Sequence, residues 1–178
     1  EMTSSLVGSE MCIRDRAFAA AIVRAQRRVR ISSPYFLPPA MLLDALRLAA
    51  RSGVRVQVMI PTCSDSPFTD LISDSYVGDL LDAGIELYRY ANGFLHAKLL
   101  IVDDDTASVG TANMDYRSLC LHFECGVWMY RTRAVLQVKE DALKTFAESH
   151  EVTLEEFQRK SFLVRTFMGA LKLFAPLL

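Results

Sequence analysis

Helix-type and strand-type segments alternate along the sequence, and this alternation restricts the chain to a small set of folds. Apolar residues recur at helical spacing in AFAAAIVRAQRR, in MLLDALRLAARSG and over residues 68–83, whereas VRISS, VRVQVMI and IELYRY have the β-branched and aromatic content of strands. Glycines such as Gly53 and Gly84 separate helix from strand. Strands that alternate with helices pair in parallel, with helices covering the sheet.

The second half of the chain adds strands of a different kind. LHAKLLIVD and ASVG flank an acidic turn at Asp103–Asp105, and together they predict a β-hairpin. A further strand, HFECGVWMY, precedes predicted helices over residues 134–150 and from Leu154 onward. The sequence therefore predicts an α/β domain with a mixed β-sheet flanked by helices on both faces. With 178 residues, the chain is long enough for one such core and too short for two.

The predicted domain covers residues 17–178 and ends in a helical segment. Residues 1–16 include SLVGSEMCIRDR, which resembles translated sequencing-adapter sequence, so we expect this stretch to be foreign to the domain or disordered. It lacks the basic and apolar regions of a signal peptide. Residues 161–178 carry Arg165 and Lys172 and are fewer than the ~20 apolar residues that span a bilayer, so no transmembrane segment is expected. This amphipathic segment is expected either to lie on anionic lipid or to dock on the domain.

Charge and cysteine content argue against two other classes of protein. The chain has 20 Lys and Arg against 21 Asp and Glu, a net charge of −1, so it lacks the basic excess of a typical nucleic-acid-binding domain. Nucleic acid is therefore not an expected partner. The four cysteines show no disulfide framework and are expected to be reduced. Cys120, His122 and Cys125 could supply zinc ligands, but strand geometry points Cys125 away from the other two, so we predict no metal site.

One segment, HAKLLIVDDDTASVGTANMD, has the residue types of a phosphate-binding catalytic site. In a strand, His96 and Lys98 would project from the same face, which brings an imidazole beside an ammonium. The lysine could hold the anionic oxygens of a phosphate ester while the histidine attacks phosphorus or protonates the leaving group. Beyond the next turn, Thr111 and Asn113 could bind further phosphoryl oxygens. Asp103 has two open interpretations, a part in the chemistry or a brace for the hairpin turn.

Residues outside this segment could complete the site. A catalytic histidine needs a partner for its second ring nitrogen, and Glu124 in the next predicted strand is the candidate. Tyr35 follows one strand, and Asp65 and Ser66 follow the next, at the edge where α/β proteins bind ligands. We include these three as candidate substrate-binding residues. Loop packing explains Tyr35 equally well, and a turn explains Asp65 and Ser66 equally well.

The pattern H-x-K-x4-D-x6-G-[ST]-x-N resembles the signature of the phospholipase D superfamily. Several segments are similar to the C-terminal half of the bacterial cardiolipin synthases: SSPYFLPP, PTCSDS, LLDAGIELYRY, GFLHAKLLIVD, GTANMDYRSL and APLL. The resemblance runs from about residue 17 to residue 178 and implies a phospholipase D-like domain. It implies the following catalytic residues: His96, Lys98, Asn113 and Glu124, with Asp103 and Thr111 at the remaining signature positions.

The chain departs from the family pattern at three points. Thr111 stands where the superfamily often has Ser, which retains the hydroxyl, and His122 stands where this family commonly has Asn. The family carries two signatures in one chain, preceded by transmembrane segments, whereas this sequence has one signature. We therefore expect half of an active site, completed by a missing N-terminal signature domain or by a second copy of the chain.

The resemblance also implies a reaction, and it implies no cofactor. A signature histidine attacks phosphatidylglycerol to form phosphatidyl-histidine and release glycerol, and a second phosphatidylglycerol then accepts the group to form cardiolipin. The implied partners are phosphatidylglycerol and an anionic membrane surface, and the implied location is the bacterial cell membrane, peripheral or facing the cytoplasm. Two alternatives remain: a homodimeric phosphodiesterase of the phospholipase D or nuclease type, and a catalytically silent membrane-binding module.

Overall fold

The computed structural model of the chain describes residues 14–159 and 162–172. The helices are α1 (described over residues 14–23), α2 (Ala40–Arg51), α3 (Pro67–Asp82), α4 (Arg133–Ala147), α5 (Leu154–Gln158) and α6 (Phe162–Leu171). The strands are β1 (Arg28–Ser32), β2 (Phe36–Leu37), β3 (Arg55–Pro61), β4 (Glu86–Tyr90), β5 (Leu99–Val102), β6 (Thr106–Gly110), β7 (Met114–Asp115), β8 (Gly126–Tyr130) and β9 (His150–Val152). A π-helical turn spans Arg117–Leu121.

The main sheet has the strand order β8-β6-β5-β1-β3-β4-β9. Its centre is parallel, because β3 pairs in parallel with both β1 and β4. The strands on either side, β5, β6, β8 and β9, pair antiparallel with their neighbours. The predicted mixed sheet is therefore confirmed, and the predicted hairpin corresponds to β5 and β6. The strands β2 and β7 form a separate parallel ribbon.

Helices cover both faces of the sheet, as predicted. The larger core lies between one face and the helices α1, α2 and α3, where Ile22, Leu46 and Ile72 have no exposed surface. On the opposite face, α4 packs Val135 against Ile101 of β5. Successive strand residues alternate between the two faces, so each strand contributes to both layers.

The structure differs from the predicted elements around the signature. The strand β5 begins at Leu99, so His96 and Lys98 precede the strand in which they were predicted. The predicted strand HFECGVWMY begins only at Gly126, because a π-helical turn and a short loop come first. The helix predicted to end at residue 150 ends at Ala147, and the short strand β9 follows. Strands of two or three residues, such as β2, β7 and β9, are too short to show a repeating apolar pattern.

The described ends of the chain bear on two expectations. The helix α1 includes residues 14–16, so the boundary expected at residue 17 falls within a helix, while residues 1–13 lie outside the described residues. The helix α6 docks on α3, and Lys172 Nζ donates a hydrogen bond to Asp79 Oδ2 at 2.7 Å. The docked alternative therefore applies to the described part of this segment. Across residues 14–159 and 162–172, no helix is long and apolar enough to cross a bilayer.

Gly110 is the last residue of β6 and Gly126 is the first residue of β8, and these two glycines face each other. Gly110 and Gly126 are register partners, and only the first is closely confined. A Cβ added at Gly110 would lie 2.5 Å from the carbonyl oxygen of Cys125, whereas a Cβ at Gly126 would find its nearest atom at 3.6 Å. A side chain at position 110 would therefore push the two backbones apart beside the signature.

Asp103 lies in the hairpin turn, at the opposite end of β5 from Lys98. Its carboxylate accepts hydrogen bonds from the backbone N–H groups of Gln26 (2.7 Å), Arg27 (2.8 Å) and Arg28 (2.9 Å). Burial raises the pKa of this carboxyl, but the three N–H donors and the Arg27 charge together outweigh burial and hold the pKa below its ordinary value of 3.8. The position favours the bracing interpretation of Asp103 over a direct part in the chemistry.

We expect Gly110→Ala to lower the free energy of unfolding of this chain by about 1–3 kcal/mol, because the added methyl group overlaps backbone atoms that cannot rotate away. Gly126→Ala is the matched control, since its added methyl group makes only ordinary van der Waals contact. Urea denaturation of both variants measures the difference. Equal stability of the two variants would contradict the close contact at Gly110.

We expect Asp103→Asn to destabilise the chain by about 1–3 kcal/mol at neutral pH, because the amide replaces one acceptor oxygen with a donor that faces backbone N–H groups. The pKa of Asp103 is lower in the folded than in the unfolded state. Its stabilising effect is therefore complete above the unfolded pKa and is lost as the pH falls through the folded pKa. Urea denaturation should show the gap between wild type and variant closing below the ordinary carboxyl pKa of 3.8.

Asp105→Asn is the control for this prediction, because Asp105 lies in the same turn but pairs with the exposed Arg131 at 3.6 Å. Its loss should cost at most about 1 kcal/mol. If the Asp105 variant is as unstable as the Asp103 variant, the three backbone hydrogen bonds are not the source of the stability.

Candidate active site

The signature residues meet at the edge of the sheet where β1 and β3 end and β5 begins. Ser32, the last residue of β1, pairs with Leu99, the first residue of β5. Lys98 therefore lies just beyond the strand, and its carbonyl oxygen accepts a hydrogen bond from Gly110 N at 3.2 Å. The backbone thus holds the two halves of the signature side by side.

A hydrogen bond from the Lys98 side chain to the His96 backbone connects these two residues, and their side chains do not share a strand face. Lys98 Nζ donates a hydrogen bond to the carbonyl oxygen of His96 at 2.8 Å. Burial lowers the pKa of Lys98, and the charges of Glu124, Asp115 and Asp65 act in the opposite direction. These three carboxylates therefore lie within electrostatic range of the ammonium. Because both residues precede β5, the predicted alternation of strand faces does not apply to them.

The His96 side chain is exposed and lies against an aromatic neighbour. The centres of the His96 and Phe94 rings are 5.2 Å apart, with an angle of 41° between the rings. Within the part of the chain that the structure describes, neither ring nitrogen of His96 has a hydrogen-bond partner. The imidazole is therefore open to a substrate or to another protein surface.

Glu124 is bound to Thr111 and not to His96. The Thr111 hydroxyl donates a hydrogen bond to Glu124 Oε2 and accepts one from Cys125 N at 2.9 Å. The other carboxylate oxygen, Oε1, lies 4.0 Å from Nδ1 of His122. The pair that we predicted between Glu124 and His96 is not formed, because Glu124 lies in the loop before β8, where Thr111 is the neighbouring hydroxyl. The hydroxyl of Thr111, predicted to bind substrate, is occupied by this contact.

Asn113 lies two residues after Thr111 and directly before β7, so it connects the site to the ribbon of β2 and β7. Its side-chain oxygen Oδ1 is buried and has no hydrogen-bond partner among the described residues. The next residue, Met114, pairs with Phe36 of β2. A buried polar atom without a partner costs about 1–3 kcal/mol, and such atoms warrant a specific explanation.

Tyr35 and Asp65, two of the three candidates that follow strands, are hydrogen bonded to each other. The Tyr35 hydroxyl donates to Asp65 Oδ1, and this hydrogen bond is the main reason that the pKa of Tyr35 rises to about 12. Tyr35 directly precedes Phe36, so the register of the ribbon makes it the neighbour of Asn113. The third candidate, Ser66, caps α3, and its hydroxyl accepts a hydrogen bond from Thr69 N at 3.4 Å. That contact matches the turn interpretation of Ser66.

Sequence reasoning missed Asp115, which is only 6% exposed. Its Oδ1 accepts a hydrogen bond from Ser118 N at 2.6 Å, and its charge acts on both Lys98 and Tyr35. The available signal was its place in the signature segment, two residues after Asn113.

A cavity of about 200 Å³ opens on the Lys98 side of the site. Lys98 and Glu124 form part of its polar wall, and Phe18 and Trp128 form part of its apolar wall. The two aromatic rings meet edge to face, with their centres 5.2 Å apart. Charged and apolar surfaces are therefore available side by side, as an amphiphilic substrate would require.

The described residues include three of the four cysteines and the side chains that were considered as metal ligands. Cys63, Cys120 and Cys125 form no disulfide with one another, and Cys12 lies outside the described residues. Within residues 14–159 and 162–172, no group of three His, Cys, Asp or Glu side chains is arranged to hold a metal ion.

Two solved structures share this fold. The phosphatidylserine synthase of Haemophilus influenzae Rd KW20 gives a TM-score of 0.70 at 17% identity, over 90% of this chain and 44% of that chain. Nuc, a phospholipase D family member from Salmonella typhimurium, gives 0.67 at 20% identity, over 77% of this chain and 89% of that chain. At these identities the similarity supports the phospholipase D-like fold alone.

Sequence comparison identifies the family. Residues 18–146 match the family model described as cardiolipin synthase, PLD-like domain. The chain is 37% identical over 166 residues to the cardiolipin synthase of Halalkalibacterium halodurans, which covers 93% of this chain and 33% of that protein. The chain thus spans about a third of the length of the curated relatives that it matches. The resemblance inferred from the signature is confirmed, and the chain belongs to the cardiolipin synthase family with a phospholipase D-like domain.

Proposed function

We propose that this chain is one half of the catalytic unit of a phosphatidyltransferase that makes cardiolipin from two phosphatidylglycerol molecules. The observation that carries the proposal is the arrangement of the signature: an exposed His96 imidazole, with the partly buried Lys98 and Asn113 at the same sheet edge. Family membership supports this choice of reaction, since the relatives that the chain matches are named cardiolipin synthases.

Lys98 is the cation that binds the phosphodiester anion. One of its three N–H groups donates to the His96 carbonyl, which leaves two for phosphoryl oxygens. Hydrogen bonds between charged partners are about twice as strong as neutral ones. Asn113 contributes an amide N–H to a further phosphoryl oxygen as negative charge develops on it. Because the substrate is a membrane lipid, the site works at an anionic membrane surface.

The reaction has two steps, and each requires two histidines. In the first step, one imidazole nitrogen attacks phosphorus, the bond from phosphorus to the glycerol oxygen breaks, and the other histidine gives its proton to the departing glycerol. In the second step, that histidine takes the proton from a hydroxyl of the second phosphatidylglycerol. The resulting oxygen nucleophile attacks phosphorus, and the bond from phosphorus to nitrogen breaks. His96 takes one of these two roles.

The second histidine comes from a second signature domain. Among the described residues, His122 and His150 are the other histidines. His122 Nε2 already accepts a hydrogen bond from Arg117 Nε at 2.8 Å, and His150 lies on β9, at the opposite edge of the sheet from β8. We infer that the signature domain absent from this sequence supplies the missing histidine in a longer protein. A homodimer of this chain is the alternative arrangement, and the mass of the active species in solution decides between the two.

Glu124 is the candidate for holding a catalytic imidazole in its reactive orientation. Its Oε2 is held by Thr111, while Oε1 faces His122 at 4.0 Å and remains available to a ring N–H. Thr111 thus positions Glu124, and its contribution to phosphate binding is indirect. A carboxylate in this position stabilises an imidazolium or a phosphohistidine.

We expect His96→Gln to reduce cardiolipin formation by the complete two-signature enzyme by at least about 10²-fold to 10⁴-fold, because proton transfer or nucleophilic attack is lost. His150→Gln is the matched control, since His150 lies on β9 away from the signature. Substantial activity in the His96 variant would contradict the proposal. Radiolabelled phosphatidyl group trapped by a denaturing detergent quench at neutral to mildly alkaline pH, where the phosphorus–nitrogen bond survives, identifies the nucleophile. Label on a His96 peptide makes it the attacking residue, and label on the other histidine makes His96 the acid and base.

We expect Lys98→Arg to lose a large part of the rate while keeping the charge. A guanidinium is planar and wide, and it cannot occupy the position of a compact ammonium that also donates to the His96 carbonyl. The loss of activity should not exceed that of His96→Gln. Steady-state rates of cardiolipin formation measure both variants, and wild-type activity in the arginine variant would show that Lys98 acts only through its charge.

A further inference from the structure

The hydrogen bond between Tyr35 and Asp65 joins two loops at the mouth of the site. One loop follows β1 and the other follows β3, so the bond spans the edge at which the signature residues lie. Ser33 fixes the first loop, since its hydroxyl donates to the Tyr35 carbonyl at 2.6 Å and accepts from Met114 N at 3.0 Å. Asp70 braces the second loop by accepting a hydrogen bond from Ser64 N at 2.9 Å. The pair is therefore held from both sides.

The pair offers hydrogen-bond acceptors at this sheet edge. The single proton of the Tyr35 hydroxyl is used on Asp65 Oδ1, which leaves a lone pair on the phenol oxygen and the second carboxylate oxygen, Oδ2. The rise in the pKa of Tyr35 to about 12 keeps that proton on the phenol. Asp65 is exposed, it follows β3 at the sheet edge where Lys98 precedes β5, and its charge acts on Lys98.

Acceptors and a carboxylate repel a phosphodiester, so the pair must serve a different part of the substrate. The ligand that suits two adjacent acceptors is one with two adjacent donors. A vicinal diol provides two O–H groups that can reach the phenol oxygen and the carboxylate together. An ammonium group concentrates its donors on one nitrogen and would use the carboxylate alone.

We propose that Tyr35 and Asp65 bind the hydroxyl groups of the polyol that leaves or accepts the phosphatidyl group. This inference rests on the proposed function, because it assigns the alcohol side of the same site. Lys98 and Asn113 hold the phosphoryl group, and Tyr35 and Asp65 position the polyol by hydrogen bonds, without transferring a proton. The pair would thereby favour glycerol-type alcohols over water and simple alcohols.

The test measures how the complete two-signature enzyme divides a phosphatidyl group among competing acceptors. Phosphatidyl-p-nitrophenol serves as the donor, because its leaving group has no hydroxyl that the pair could bind, and nitrophenol release reports formation of the intermediate. Glycerol, ethanol, ethanolamine and water compete as acceptors, and their products are separated and counted. The preference for glycerol over ethanol is the diagnostic quantity, since a merely structural change would lower all the rates together.

We expect Asp65→Asn to reduce the preference for glycerol over ethanol by roughly 10- to 100-fold, a ratio that is independent of the rate of nitrophenol release because both products form from the same intermediate. Tyr35→Phe should reduce the same preference by a smaller factor, and it guards against misfolding of the first variant because it removes a single oxygen. Asp70→Asn is the matched control, because it is the same chemical change at a residue in the first turn of α3 that braces the backbone of the same loop. It should lower stability without changing the acceptor preference.

Each other outcome overturns a defined part of the account. An unchanged glycerol preference in an active Asp65 variant would show that the pair is structural. A selective loss of ethanolamine transfer would show that Asp65 recognises an ammonium group instead. A wild-type enzyme that releases no nitrophenol would overturn the proposed function together with this inference. An active wild-type enzyme whose Asp65 and Tyr35 variants keep the preference for glycerol over ethanol would overturn this inference alone.

Discussion

The close backbone contact at Gly110 sets the position of the candidate site. On one side of this residue, its N–H donates to the carbonyl oxygen of Lys98, and on the other side the next residue, Thr111, exchanges hydrogen bonds with Cys125. A Cβ at Gly110 would meet the Cys125 carbonyl at 2.5 Å, so no larger residue allows this approach. Asp103 ties the opposite end of the hairpin to the start of β1. The lysine and the hydroxyl of the signature are therefore positioned by backbone pairing, before any substrate is bound.

The electrostatic arrangement around Lys98 is suited to a reaction that must bind an anion and then release it. Burial lowers the pKa of Lys98 below its ordinary value, and the charges of three nearby carboxylates oppose this shift, so the ammonium lies in a mostly acidic surrounding. A phosphodiester that enters this site can pair with one cation, Lys98, and lies near several hydrogen-bond acceptors. Those acceptors suit the hydroxyl groups of the alcohol rather than the phosphate. The exposed ring of His96 leaves a polar group for a substrate or a second domain to bind.

The sequence predicted the sheet and the family well, because both depend on patterns that extend over many residues. The alternation of helix and strand indicated the parallel centre, and the spacing of His96, Lys98 and Asn113 indicated one site. The pairing of Glu124 with Thr111 could not be predicted, since it depends on β8 starting at Gly126 rather than at His122. The contact between Tyr35 and Asp65 also required the structure, because it joins loops thirty positions apart. The part played by Asp103 was left open, and three backbone donors from another segment decided it.

The central claim is that one signature domain supplies only half of the catalytic groups. The most direct test is to measure cardiolipin formation from phosphatidylglycerol vesicles by this chain at concentrations where sedimentation velocity shows it to be monomeric. The account predicts no cardiolipin from the monomer, and it predicts activity when a second signature domain is supplied. Turnover by the monomer at an enzymatic rate, about 1 to 1000 per second, would contradict it.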